Sequence, residues 1–128
     1  MPARMGAANI LVVDDHAEIA ESVREILEGE GYRVTVAGDG EQALALFPRV
    51  SPRLVLLDLR LPKMCGNELL VRFRDADASS AVVALTGSTE VPSDVSAVLR
   101  KPFDIDELLE IARRFCGVPS VPAEGAGE

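Results

Sequence analysis

Asn9-Ile10-Leu11-Val12-Val13-Asp14-Asp15 and Leu54-Val55-Leu56-Leu57-Asp58 are two apolar runs that each stop on acid. Neither alternates apolar with polar, so each reads as a strand buried on both faces, as in a parallel sheet covered by helices. Two further runs behave alike: Ala81-Val82-Val83-Ala84-Leu85 leads into Thr86-Gly87, and Val98-Leu99-Arg100 into Lys101-Pro102. Tyr32-Arg33-Val34-Thr35-Val36 alternates, as a strand nearer the sheet edge does.

Between the strands the spacing predicts helices. Ala17 to Glu28 puts Ala20, Val23, Ile26 and Leu27 on one face, and Gly29 to Gly31 stop the run. Asp39 caps a helix to about Phe47, which Pro48 ends. Gly66-Asn67 opens another, to about Asp75, with Leu69, Leu70 and Phe73 as its stripe. In the last, Asp104 and Glu107 form a capping box, and Ile105, Leu108, Leu109, Ala112 and Phe115 recur at helical spacing. The order βαβαβαβ(α)βα is that of an α/β protein: a doubly wound, five-stranded parallel sheet with right-handed crossovers. Its fourth helix is expected to be shortened or missing. Only about ten residues, broken by Pro92, separate Leu85 from the next apolar run, the lower limit for a crossover helix.

A chain of 128 residues suits one domain. Residues 9–116 are expected to fold, 1–8 to be a loose leader, and 117–128, rich in Gly and Pro, to be a disordered tail or the start of a linker. A net charge of −8 argues against direct binding to nucleic acid or an anionic membrane surface. The sequence has no apolar run of roughly 18 residues that would span a bilayer. Cys65 and Cys116 stand alone, in neither a CxxC nor a His–Cys pattern, and read as the reduced thiols of a cytoplasmic protein.

The chemistry follows from where the strands end. In a doubly wound sheet, ligands bind outside the carboxyl ends of the strands where the order reverses. With strand order 2-1-3-4-5, the first and third strands are neighbours, and Asp14, Asp15 and Asp58 converge at that reversal. Carboxylates so close repel unless a cation intervenes, and an oxygen-only cluster suits Mg²⁺. Asp58 is then a candidate nucleophile toward phosphorus, forming an acyl phosphate. The charge on the phosphoryl oxygens needs fixed donors: the Lys101 ammonium, the Thr86 hydroxyl and the unobstructed backbone N–H of Gly87.

Asp14-Asp15, then Asp58-Leu59-Arg60-Leu61-Pro62-Lys63-Met64-Cys65-Gly66, then Thr86-Gly87, then Lys101-Pro102-Phe103 carry a family likeness. In these motifs the chain resembles the CheY-like receiver domains of two-component response regulators, from Asn9 to about Phe115. The resemblance implies the flavodoxin-like sheet order. It implies that Asp58 is the phosphoacceptor of a phosphorelay, supplied by a histidine kinase or a phosphotransfer protein. It implies that Asp15 and Asp58 bind Mg²⁺ directly with the Arg60 backbone carbonyl, and that Asp14 assists through water. Lys101 would contact the phosphoryl group, and the Lys101–Pro102 peptide would be cis. Such a protein catalyses its own phosphorylation and dephosphorylation, is no enzyme toward other substrates, and passes its state to a downstream protein that the sequence does not name.

Two departures fall on the output side. The family usually carries Tyr or Phe three residues before the Lys, swinging inward when the Thr engages the phosphoryl group; here that switch position is Val98. Thr86 also precedes Lys101 by fewer residues than is usual. The second reading is therefore a receiver-fold module that binds protein independently of phosphorylation. A small phosphohydrolase would want a second aspartate two residues after Asp58, where Arg60 stands. His16 reads as a solvated residue at a helix start, and Arg60 as a solvent-facing side chain near the phosphoacceptor. Gly38-Asp39-Gly40-Glu41-Gln42-Ala43 imitates a dinucleotide fingerprint, but it follows the second strand, and the chain is too short for two mononucleotide halves.

Overall fold

The computed structural model describes residues 8–61, 63–87, 91, 92 and 94–118. The expected leader and tail lie outside these residues, apart from Ala8, Gly117 and Val118, as does Pro62. The strands are β1 (Asn9–Val13), β2 (Arg33–Ala37), β3 (Leu54–Asp58), β4 (Ala81–Thr86) and β5 (Ala97–Arg100). The helices are α1 (Ala17–Gly29), α2 (Gly40–Val50), α3 (Gly66–Ala76) and α4 (Ile105–Cys116). All strands are parallel, in the order β2-β1-β3-β4-β5, which is the expected doubly wound sheet with the alternating strand at one edge.

Continuous apolar runs serve both faces because neighbouring side chains point to opposite sides of a strand. Ile10, Val12, Leu54 and Leu56 enter one cluster, with Val23 and Leu27 of α1 and Leu108 and Ala112 of α4. Leu11, Val13, Val55 and Leu57 enter the other, with Ala43 and Phe47 of α2 and Leu69 and Phe73 of α3. All eight strand residues are fully buried, so β1 and β3 form the centre of the molecule.

One boundary differs from the sequence reading. Pro48 does not end α2; it lies inside the helix, which continues to Val50. A proline there removes one donor from the last turn only. Phe47 holds the turn in place, buried and stacked on Phe73 with ring centroids 4.7 Å apart. The helix is closed by Ser51 in the left-handed region, whose N–H donates to the Phe47 carbonyl at 2.9 Å.

Among the described residues, no helix lies between β4 and β5, as the short spacing required. Val95 of this connection packs against the cluster under α2 and α3, and the Arg74 guanidinium of α3 donates to the Asp94 carbonyl. The predicted capping box opens α4: the Asp104 carboxylate accepts from Glu107 N–H at 2.8 Å, and the Glu107 carboxylate from Asp104 N–H at 3.0 Å. Beyond its far end, the Tyr32 hydroxyl donates to the Gly117 carbonyl at 2.7 Å. No helix among the described residues is long and apolar enough to cross a membrane.

Candidate functional site

Register alone brings the polar strand ends together. Val13 pairs with Leu57, so Asp14 and Asp58 come level on adjacent strands. Asp58 pairs with Leu85 and Thr86 with Arg100, which puts Thr86 and Lys101 at the same edge. The Lys101 N–H donates to the Thr86 carbonyl at 2.9 Å, and the peptide that follows, Lys101–Pro102, is cis.

Asp14 and Asp58 are almost wholly buried, with side chains 0 % and 3 % exposed, while Asp15 is 32 % exposed. The Lys101 ammonium stands between the two buried carboxylates, 3.4 Å from Asp14 Oδ2 and 3.4 Å from Asp58 Oδ2. Asp58 Oδ1 accepts from the Arg60 backbone N–H at 2.9 Å, which sets the Arg60 main chain against the carboxylate. That turn depends on Gly66, where a Cβ would lie 2.8 Å from Leu59 Cδ2 and 2.9 Å from Leu59 Cα. α3 therefore begins in van der Waals contact with the residue that follows Asp58.

Thr86 is buried at the end of β4 and lines a cleft of about 410 Å³ with Arg60, Cys65 and Asn67. Gly87 follows it, where an added Cβ would meet only the Lys101 carbonyl at 3.8 Å. Val98 sits apart on β5, opposite Ala84, beside a cleft of about 220 Å³ bordered by Glu107, Ile111 and Arg114 of α4. Neither thiol joins the carboxylates. Cys65 is exposed ahead of α3, and Cys116 is buried at the end of α4, where desolvation pushes its thiol up to about 11.

His16 is exposed at the start of α1, as the sequence reading has it, and its ring lies beside the carboxylates. Its N–H donates to Asp14 Oδ1 at 2.9 Å, and its ring Nδ1 lies 3.1 Å from that same oxygen. Nδ1 is also 3.3 Å from Asp15 Oδ1 and 3.8 Å from Asp58 Oδ2. One donor atom from each of Asp14, Asp15, His16 and Asp58 falls within 4.8 Å of the others. Three carboxylates facing one ammonium leave local negative charge, and hard oxygen donors at this separation fit a small divalent cation. Spacing could not have found the ring: His16 stands at the N-cap of α1 with extended backbone (φ −90°, ψ 98°), outside the helical period, and the ring's direction is set by its own rotamer.

This sheet order, with the carboxylates at its reversal and a lysine following the last strand, makes a doubly wound α/β domain with an acidic pocket at its switch point. Residues 10–113 match the response regulator receiver domain family, and the chain belongs to it. It is 40% identical over 111 residues to the DNA-binding response regulator MtrA of Mycobacterium tuberculosis H37Rv, covering 81% of this chain and 48% of that protein. It is 37% identical over 112 residues to the uncharacterized transcriptional regulatory protein YkoG of Bacillus subtilis, covering 82% and 49%. The chain thus spans about half the length of the curated relatives it matches. Among solved structures, a CheY-like receiver domain from Methanospirillum hungatei matches with TM-score 0.81 and 30% identity over 85% of this chain and 93% of that one. Vibrio cholerae CheY4 matches with TM-score 0.79 and 28% identity, over 86% and 99%.

Proposed function

We propose that this receiver domain accepts a phosphoryl group on Asp58 from a histidine kinase or a histidine phosphotransfer protein in the cytoplasm. The observation that carries the proposal is the buried Asp58 carboxylate, fixed by Arg60 N–H through Oδ1 and facing Lys101 Nζ at 3.4 Å through Oδ2. An Asp58 oxygen attacks the donor's phosphorus; the new O–P bond forms as the P–N bond breaks, and its electron pair stays on the donor imidazole. Lys101 meets the transferred oxygens, and Thr86 and the Gly87 N–H stand at the same edge to receive them. Hydrolysis reverses the load: water attacks phosphorus, the O–P bond to Asp58 breaks, and inorganic phosphate leaves. The carboxylates of Asp14, Asp15 and Asp58, with the Arg60 carbonyl, are the residues to hold Mg²⁺, which neutralises phosphoryl charge when bound.

The catalysis is of the protein's own modification. MtrA is named as DNA-binding, but this chain matches only about half of it, and a net charge of −8 gives these residues no electrostatic footprint for DNA. Output is therefore assigned to contacts with another segment or protein. Val98 and the absence of a helix among the described residues between β4 and β5 favour one second reading, a binding module indifferent to phosphorylation.

Acetyl phosphate with Mg²⁺ decides between them. The expected result is an acid-stable, base-labile adduct with the mass of one phosphoryl group, absent in Asp58→Asn. A wild-type chain that takes no label and binds no beryllofluoride refutes the phosphoacceptor reading.

A further inference from the structure

His16 has no part in the phosphoryl transfer described above, yet its ring is directed at the carboxylates. The side chain is 61 % exposed, so burial does not force it there. Asp14 divides its oxygens: Oδ1 faces His16 Nδ1 at 3.1 Å, and Oδ2 faces Lys101 Nζ at 3.4 Å. An ion held octahedrally at about 2.1 Å has neighbouring ligand atoms about 3.0 Å apart and opposite ones about 4.2 Å apart. Nδ1 lies 3.1 and 3.3 Å from oxygens of Asp14 and Asp15, and 3.8 Å from Asp58 Oδ2. The two shorter separations are close to those of neighbouring ligands on one ion, and the third lies between neighbouring and opposite positions.

We propose that His16 Nδ1 is a protein ligand of the cation at this site, so that the chain favours first-row transition ions such as Mn²⁺ over Mg²⁺. The inference rests on the carboxylates holding a divalent ion, and adds that the donor set is mixed oxygen and nitrogen. Mg²⁺ takes oxygen and keeps its waters, whereas imidazole suits Fe²⁺, Ni²⁺, Cu²⁺ and Zn²⁺; Mn²⁺, lowest of that series, serves as the spin-active probe. Ligation uses the neutral ring with its proton on Nε2, leaving the Nδ1 lone pair for the ion.

The test uses the full chain at pH 8, where a free imidazole is neutral. Mn²⁺ binding is followed by electron spin resonance and Mg²⁺ by competition, in wild type, His16→Ala, His16→Gln and Asp58→Asn. Spin-echo modulation reports whether nitrogen is bonded to the bound Mn²⁺. The expected result is nitrogen modulation in wild type, lost in both His16 variants. Mn²⁺ affinity should fall at least about tenfold in those variants, while Mg²⁺ affinity stays within about twofold. Bound Mn²⁺ without nitrogen modulation overturns the role of His16, as does a parallel change for both ions. In either case binding that is lost in Asp58→Asn leaves the carboxylate reading standing. Wild-type protein that binds neither ion overturns both.

Discussion

Replacing Asp58 with Asn should stabilise the metal-free protein. The change removes one of three clustered carboxylates but keeps an oxygen for the Arg60 N–H that Asp58 Oδ1 now accepts at 2.9 Å. At an effective dielectric of about 20, two like charges no more than 4.8 Å apart repel by at least about 3.5 kcal/mol, and the Lys101 ammonium at 3.4 Å returns about 5 kcal/mol. Asp58 faces two carboxylates and one ammonium, so the Coulomb balance is at least about 2 kcal/mol against its charge. Desolvation acts in the same direction, since the side chain is 3 % exposed. Allowing for screening of the more exposed Asp15, the variant should gain about 1–2 kcal/mol in EDTA, or about 4–10 °C in Tm. Calorimetry with and without Mg²⁺ checks the origin of the gain. At ten times its Kd, Mg²⁺ should stabilise wild type by about 1.4 kcal/mol and the variant by clearly less. A variant no more stable than wild type in EDTA, or equally stabilised by Mg²⁺, would refute the reasoning.

Other expectations test the frame around the site. Gly66→Ala drives a Cβ into Leu59, so it should cost about 1–3 kcal/mol and slow acetyl-phosphate labelling of Asp58, because Leu59 is the next residue; urea unfolding and mass spectrometry read the two effects. Asp104→Ala removes the acceptor of the capping box and should cost about 1 kcal/mol, measured by urea unfolding, with labelling unchanged. Burial raises the Cys116 thiol to about 11 from 9.0, so ionisation favours the unfolded chain as pH climbs through that window. The stability it contributes is whole below pH 9.0 and falls by up to about 2–3 kcal/mol toward pH 11. Tyr32 is raised by burial as well and adds to the loss. Cys116→Ala should flatten the alkaline limb of a pH–stability profile.

The strands were legible because burial on both faces leaves an unbroken apolar run, and the strand ends because acid interrupts it. Once Ile10–Val13 and Leu54–Leu57 are neighbours, nothing but register is needed to bring Asp14 to Asp58. The short β4–β5 connection was legible from chain length and Pro92 alone. Pro48 was misread because local propensity forbids what tertiary packing permits: the stacked Phe47–Phe73 pair holds a turn that lacks one hydrogen bond. The exposure of His16 at the start of α1 was legible, but the nearness of its ring to Asp14 was not. A ring's direction depends on its side-chain rotamer, and no periodic pattern records it.

The position of Val98 has a consequence for how freely this part of the chain can vary. It lies on a four-residue edge strand, only partly buried, next to open volume between β5 and α4 rather than among the fully buried side chains of β1 and β3. Side chains of different size and polarity can succeed one another there at little cost in folding free energy. The acceptor carboxylates have no such freedom, because each is locked by register to its neighbours. Variation is thus cheap at this edge of the sheet and expensive where the strand ends gather the carboxylates, so two parts of one small domain can change at very different rates.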